Sequence, residues 1–222
     1  MIAAAETGAA RLTSALRRFP AVAILRAATG DHLERAVHAL ADGGVTAVEI
    51  TATTPGAFAA VARLRARLDR SVALGVGTVT TPGDLARAAD AGSDFVVSPH
   101  TDPRLIRSAA TLGLGTLPGA LTPTEAVAAR DAGATAVKLY PAGTLGLGYL
   151  KAIRAPLADI PFVPTGSIPV ARTGHWLAAG ALAVGLGSPL LGDALHTGRL
   201  DPLRGNLAEL RLAVTESGWE AA

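Results

Sequence analysis

Three short stretches repeat one pattern along the chain: DGGVTAVEI at residues 42–50, DAGSDFVVS at 90–98 and DAGATAVKL at 131–139. In each, glycine follows a segment with helical spacing and leads into a run of apolar residues. Glycine commonly ends helices, and a short apolar run bounded by turn residues is typical of a buried strand. The repeat therefore predicts a single kind of helix-to-strand junction, used at least three times.

Five more apolar runs extend the pattern to eight. The runs begin near Ala21, Thr46, Val72, Asp94, Leu114, Thr135, Pro161 and Ala181. Amphipathic stretches between them, such as 32–44, 82–94 and 123–135, predict helices, and Thr81-Pro82 and Thr122-Pro123 are typical helix starts. Eight such units predict a (β/α)8 TIM barrel in a single domain over 1–222, with residues 1–19 as a short N-terminal helix packing on it. The alternative is an open doubly wound sheet, although its glycine-rich first turn is missing after residue 25.

Composition excludes several classes of protein. The 222 residues are half hydrophobic, which is enough for a substantial core, and contain no cysteine, which excludes disulfide scaffolds, thiolate metal sites and cysteine nucleophiles. We therefore expect a cytoplasmic protein. No apolar run reaches the roughly 20 residues of a membrane span, and Glu6 and Arg11 interrupt any signal-peptide core. The net charge of +2 and 4% aromatic residues give no indication of nucleic-acid binding.

In a TIM barrel, functional side chains lie where strands end. The polar residues that end the runs are Arg26, Glu49, Thr51, Thr53, Thr78, Ser98, His100, Thr116, Lys138, Thr165 and Ser188. Glu49 and Lys138 are charged residues within otherwise apolar strands. Burying either inside a barrel is costly unless the charge is paired or neutralised.

Lys138 allows two interpretations. It can be an exposed or edge lysine, or a structural ion pair with Glu49; alternatively, it is a nucleophile that forms a Schiff base. The chain has 20 basic Lys and Arg residues, of which only Lys138 and Lys151 are lysines. Because arginine stays protonated and is a poor nucleophile, a buried lysine in such a chain favours amine chemistry. Glu49 can move protons beside it, whereas Lys151 lies in a helical stretch and is predicted to be on the surface.

The last quarter of the chain predicts an anion site. Thr165-Gly166-Ser167 ends the seventh run, and Gly187-Ser188 ends the eighth. Glycine-rich loops after strands 7 and 8, each leading into a helix, form the usual phosphate site of a TIM barrel, although a tight strand-to-helix turn alone would have the same sequence.

Seven strings, in this order and spacing, resemble one known family. They are VEITATTP at 48–55, GVGTVTTP at 75–82, DFVVSP at 94–99, LPGALTPTEA at 117–126, VKLYPA at 137–142, PTGSI at 164–168 and GLGSPL at 185–190. Together they are similar to the KDPG aldolase family, whose members are Schiff-base aldolases acting on 2-keto-3-deoxy-6-phosphogluconate or its galactonate counterpart. The resemblance extends from Arg26 to about Leu191. It implies a (β/α)8 barrel, usually a homotrimer, without a metal or organic cofactor.

The resemblance also implies roles for individual residues. Lys138 would form the imine with the substrate ketone, Glu49 would be the general acid and base, and Thr78 would line the site. Substrate carboxylate or phosphate oxygens would be held by Thr165, Gly166 and Ser188. The remaining substrate-binding residues expected from the same strings are Pro99, Pro118 and Gly187.

Three positions depart from the family pattern, and all concern substrate choice. Thr53 stands where gluconate-specific members often carry an arginine, and we expect Arg26 to pair with the substrate carboxylate instead. Ser167 replaces a glycine, so it either weakens phosphate binding or adds a donor. His100, where glycine or asparagine is common, is either a contact for substrate hydroxyls or a solvated loop residue.

The sequence thus predicts an aldehyde-lyase that cleaves a 2-keto-3-deoxy-6-phospho sugar acid to pyruvate and glyceraldehyde 3-phosphate. The alternatives are an aldolase for an unphosphorylated or short 4-hydroxy-2-oxo acid, a phosphate-binding isomerase or synthase, and a non-catalytic binder. The configuration at C4, which separates the gluconate from the galactonate substrate, stays open.

Overall fold

The computed structural model describes residues 6–220. Its strands are β1 (Ala21–Leu25), β2 (Ala47–Thr51), β3 (Ala73–Gly77), β4 (Phe95–Val97), β5 (Gly115–Leu117), β6 (Gly119–Ala120), β7 (Val137–Leu139), β8 (Phe162–Pro164) and β9 (Val184–Leu186). The helices are α1 (Gly8–Arg18), α2 (Leu33–Asp42), α3 (Ala57–Arg65), α4 (Pro82–Asp90), α5 (Pro103–Thr111), α6 (Pro123–Asp131), α7 (Ala142–Arg154), α8 (Thr173–Ala178), α9 (Ser188–Leu191), α10 (Ala194–Thr197) and α11 (Asp201–Glu216). A 3₁₀ turn, Val170–Arg172, precedes α8.

The strands form a parallel barrel. One sheet has the order β5-β4-β3-β2-β1-β9, and a second has the order β6-β7-β8. A parallel bridge between Thr165 and Gly185 joins β8 to β9. Between β5 and β6 lies Pro118, which has no N–H to donate, so the fifth barrel strand is assigned as two short pieces. The predicted TIM barrel is confirmed.

The predicted helix starts and helix ends are both confirmed. The Thr81 and Thr122 hydroxyls accept from the N–H of Asp84 and Glu125, and a proline follows each threonine. Glycine closes the helices: Gly44, Gly92, Gly133 and Gly180 all have positive φ, which side-chain-bearing residues rarely adopt. These turns set the direction in which each following strand enters the barrel.

The barrel interior and helix α1 share a core. The cluster consists of Leu12, Ala15, Leu16, Val22, Ala47, Ala73, Phe95, Val97, Leu117, Ala136, Val163 and Ala183. Helix α1 therefore closes the end of the barrel at which the strands begin. The predicted N-terminal helix is confirmed for residues 8–18, whereas residues 1–5 of that prediction lie outside the described residues. In residues 6–220, no helix is long and apolar enough to cross a membrane.

Candidate active site

Lys138 lies in the barrel interior toward the end opposite α1. Side chains alternate along a strand, and Ala136, two residues earlier, belongs to the interior core, so Lys138 also faces inward from β7. The side chain is half-buried and lines a cavity of about 770 Å³. Its Nζ is 5.6 Å from the centre of the Tyr140 ring. The predicted surface position of Lys151 is also found, because Lys151 is exposed on α7.

Glu49 is the buried acid of the same interior. It follows Ala47 by two residues on β2, and only 2% of it is exposed. Space for its carboxylate comes from Gly77 on β3, where an added Cβ would lie 2.2 Å from Oε1. Burial raises the pKa of Glu49 above its usual 4.5, and the opposing charges of Lys138 and Arg26 offset only part of this. A carboxyl group whose pKa is raised holds its proton more readily than an ordinary one, which suits a group that gives and takes protons.

Arg26 brings a guanidinium to the first strand end. It follows β1 directly, lines the 770 Å³ cavity and donates from Nη2 to the Thr78 hydroxyl at 3.3 Å. Thr78 directly follows Gly77 at the end of β3, with φ of 58°, a left-handed conformation. Because Arg26 acts electrostatically on Glu49, Arg26, Thr78 and Glu49 form one group on the β1–β3 side of the site.

The predicted anion-binding residues line the same cavity from the ends of β8 and of β9, the strand that pairs with β1. They are Thr165, Gly166, Ser167, Gly187 and Ser188. Gly185 leaves room for the Thr165 side chain, because a Cβ added at Gly185 would lie 2.2 Å from Thr165 Oγ1. Ser167 has φ of 53°, so it occupies a backbone conformation that glycine adopts at no steric cost.

The helix that begins at Ser188 is too short to contribute much to the predicted anion site. Helix α9 has four residues and one turn. A single turn sums few peptide dipoles, so it supplies little of the positive potential that a longer helix N-terminus offers an anion. Side chains and loop N–H groups must therefore provide most of any anion binding here.

Besides Glu49 and Thr78, four predicted residues do not line the cavity. Thr53 is exposed and lines a separate cavity with Phe58 and Arg87. Pro99 and His100 are exposed after β4. Pro118 lines a small cavity with Leu105 and Ile106 of α5, on the helix-facing side of the barrel.

Four cavity-lining polar residues, Thr29, Asp31, Tyr140 and His196, were not among those predicted. Tyr140 stands within the quoted VKLYPA string, two residues after Lys138. Asp31 and His196 come from the connections after β1 and β9. The rule that loops at strand ends build the site of a TIM barrel could have indicated these residues. The sequence predictions were limited to the polar residues nearest the end of each apolar run.

A threonine network fixes the loop that carries Arg26. The Thr51 and Thr54 hydroxyls are buried and 3.0 Å apart, and Thr54 Oγ1 accepts from the N–H of Ala27 at 3.1 Å. The end of β2 thus holds the end of β1. In the part of the chain that the structure describes, no three His, Asp or Glu residues cluster as metal ligands would.

Comparison with known proteins agrees with this geometry. The family described as KDPG and KHG aldolase matches residues 12–202. A probable 2-dehydro-3-deoxy-6-phosphogalactonate aldolase of Rhizobium meliloti is 38% identical over 180 residues, which cover 81% of this chain and 85% of that protein. The 2-dehydro-3-deoxy-6-phosphogalactonate aldolase of Escherichia coli is 34% identical over 174 residues, covering 78% and 85%.

The fold agrees as well. A solved structure described as native KDPGal superposes with a TM-score of 0.85 at 31% identity, covering 90% of this chain and 97% of that one. The match spans both the strand that carries Glu49 and the strand that carries Lys138. This chain belongs to the KDPG and KHG aldolase family, a family of aldehyde-lyases.

Proposed function

We propose that this protein is a class I aldolase in which Lys138 is the nucleophile and Glu49 the general acid and base. The observation that carries the proposal is the placement of both residues on the inner face of one barrel, because Glu49 follows the interior residue Ala47, and Lys138 the interior residue Ala136, by two positions. Lys138 lines the cavity, where a substrate can reach it, while Glu49 is almost fully buried next to it. An accessible amine and a protected proton carrier are the two groups that imine chemistry needs.

The first half of the reaction forms the imine. The neutral amine of Lys138 attacks the C2 ketone of a 2-keto-3-deoxy sugar acid and gives a carbinolamine. Glu49, directly or through a water, delivers a proton to the C2 hydroxyl, which leaves as water. The product is a protonated imine whose nitrogen can accept an electron pair.

The second half breaks the carbon chain. A base, Glu49 or a water that it activates, removes the proton of the C4 hydroxyl. The C3–C4 bond then breaks, its electron pair flows to the imine nitrogen, and an aldehyde leaves. The resulting enamine takes a proton at C3, and water hydrolyses the imine to release pyruvate and free Lys138.

Arg26 is our choice for the partner of the substrate carboxylate. Its guanidinium lines the cavity that Lys138 also lines, and such a group binds a carboxylate in a bidentate manner. Thr53, at the position where gluconate-specific members often carry an arginine, lines a different cavity, which supports this choice. The other end of the substrate would meet Thr165, Gly166, Ser167, Gly187 and Ser188.

The substrate that we propose is a 6-phosphorylated 2-keto-3-deoxy sugar acid, with the galactonate epimer preferred over the gluconate epimer. Two relatives at 38% and 34% identity carry the galactonate name. Comparing kcat/KM for the two epimers tests the preference: a higher value for the gluconate would reverse it without affecting the aldolase assignment.

We also propose a homotrimer in the cytoplasm. Membership of the family supports the trimer, and light scattering at several protein concentrations tests it. The lack of cysteine in all 222 residues supports a reducing compartment.

The decisive experiment traps the imine. The protein is incubated with pyruvate and borohydride, and the modified residue is located by mass spectrometry. We expect one adduct, on Lys138. The Lys138→Arg variant keeps the positive charge but lacks a nucleophilic amine, so we expect no adduct and an activity at least about 100-fold lower.

Lys151→Arg is the matched control, because it makes the same substitution on the exposed face of α7. This variant should keep both the adduct and the activity. An unmodified wild-type protein, or an adduct that moves to Lys151, would contradict the proposal.

A further inference from the structure

The guanidinium of Arg26 is held only weakly by its own hydrogen bond. The Arg26 side chain is exposed, and its bond from Nη2 to the Thr78 hydroxyl, at 3.3 Å, is longer than most hydrogen bonds between nitrogen and oxygen. The position of the guanidinium therefore depends largely on where the backbone places Arg26. That backbone belongs to the β1 loop, residues 26–32, which lies next to the β2 loop, residues 52–56.

The β2 loop holds the β1 loop at two places. Thr54 Oγ1 accepts from the N–H of Ala27, the residue after Arg26, at 3.1 Å. Only 2% of Thr54 is exposed, so this acceptor lies away from water. The second place is three residues further on, where a Cβ added at Gly30 would be 2.7 Å from the Pro55 carbonyl oxygen. The first contact acts directly beside Arg26.

Thr54 is itself fixed by its neighbours. Its N–H donates to the Thr51 carbonyl at 2.9 Å, and its carbonyl accepts from the N–H of Ala57 at 3.1 Å, where α3 begins. Its hydroxyl is 3.0 Å from the hydroxyl of Thr51, which is fully buried on β2 two residues after Glu49. Thr54 therefore connects the β1 loop to the strand that carries Glu49.

We propose that Thr54 is a positioning residue, whose hydroxyl sets the Arg26 guanidinium where it meets the carboxylate of a bound 2-keto acid. This inference rests on the proposed aldolase function and on the choice of Arg26 as the carboxylate partner. A bidentate pair has strict geometry, so a loop that moves by a fraction of an ångström weakens it. Thr54 does not line the cavity and acts through Ala27 and Arg26.

The test measures the pyruvate concentration that gives half-maximal borohydride trapping on Lys138. Pyruvate has the carboxylate and the ketone but no phosphate, so it reports on this end of the site alone. Thr54→Val keeps the shape of the side chain but removes the hydroxyl, and we expect it to raise that concentration about tenfold, the effect of one lost hydrogen bond. Thr54→Ser keeps the hydroxyl and should retain nearly the wild-type value.

A purely structural role of Thr54 would give a different result. If Thr54→Val only destabilised the fold, fewer molecules would be active, so maximal trapping would fall while the half-maximal concentration stayed the same. Thr46→Val is the matched control, because the Thr46 hydroxyl donates to the Ala15 carbonyl of α1 at 2.6 Å, at the closed end of the barrel. It should leave the half-maximal concentration unchanged, and a shift as large as that of Thr54→Val would overturn the inference.

A double variant tests whether Thr54 acts through Arg26. We expect Arg26→Ala to raise the half-maximal pyruvate concentration at least as much as Thr54→Val does. Adding Thr54→Val to Arg26→Ala should then have no further effect, because the group that Thr54 positions is gone. Effects of the two changes that simply multiply would overturn the inference.

Gly30→Ala tests the same loop through its other contact. The added Cβ would press against the Pro55 carbonyl and displace the β1 loop, so this variant should also raise the half-maximal pyruvate concentration. It replaces Thr54→Val in the double variant if Thr54→Val does not fold. Gly205→Ala, on α11 with open space around the added Cβ, is its control and should change nothing.

The proposals fail in different ways. If the wild-type protein forms no borohydride-trapped adduct with pyruvate, the aldolase proposal fails. If the adduct forms but Arg26→Ala leaves the half-maximal concentration unchanged, the roles of Arg26 and Thr54 both fail while the aldolase proposal stands. A shift in Arg26→Ala without one in Thr54→Val overturns the role of Thr54 alone.

Discussion

The two charged residues of the site were identifiable from sequence because each breaks an apolar strand. In TAVEIT and TAVKLY, Glu49 and Lys138 stand where the alternation calls for an interior residue. The sequence could not indicate how deeply each is buried. Gly77 provides the space that buries Glu49, while Lys138 stays half-buried at the cavity, and this asymmetry depends on neighbouring strands.

Burial of Glu49 makes the folded protein less stable when the carboxyl group is ionised, and replacing Glu49 should reveal this loss of stability. Its pKa is raised in the folded protein, so its contribution to stability is fully present below the ordinary value of 4.5 and is lost as the pH rises through the folded pKa. We expect Glu49→Gln to be more stable than the wild type at neutral pH, with the difference disappearing in acid. Activity should fall by about 10²–10⁴, the usual contribution of a general acid–base group.

Urea unfolding at several pH values, together with steady-state kinetics, measures both effects. Glu209→Gln, which changes an exposed glutamate on α11, is the matched control and should alter neither. A Glu49→Gln variant that is less stable than the wild type at neutral pH would show that pairing with Lys138 outweighs the cost of burial.

At the scale of elements, the order and type of segments followed from local signals. The apolar runs, threonine caps and glycine ends each act over a few residues, and β1 begins at the expected Ala21. Other strands begin one to three residues later than expected; β9, for example, begins at Val184 rather than near Ala181. Small residues such as Ala181 lengthen the apolar run in the sequence but lie outside the strand itself.

Substrate-binding residues were less predictable because a strand end does not fix which way its loop turns. Leu117 faces the barrel interior, so the next residue, Pro118, faces α5. Strand β2 ends at Thr51, and the loop then carries Thr53 away from the cavity. His196, in contrast, reaches the cavity through the packing of two short helices, which no local pattern encodes.

At the scale of the molecule, the barrel has one end closed for stability and one open for chemistry. Helix α1 closes the end where strands begin, through the shared core and through Asp94. Asp94 is 6% exposed just before β4 and forms ion pairs with Arg65 of α3 at 2.9 Å and Arg11 of α1 at 3.0 Å. It also accepts from the Leu74 N–H at 2.9 Å. A single carboxylate therefore ties α1 and α3 to the strands.

We expect Asp94→Asn to destabilise the fold by about 3–5 kcal/mol, since removing one partner of a buried pair leaves the other charges uncompensated. The free energy of unfolding in urea measures this loss. Asp159→Asn removes one of the two carboxylate partners of Arg130 at an exposed site, where Asp159 is 62% exposed, and should change stability little. Because Asp94 precedes its strand and Lys138 faces the opposite, open end, folded Asp94→Asn should still form the pyruvate adduct. Equal stabilities for the two variants would mean that the shared apolar core, rather than Asp94, holds α1 in place.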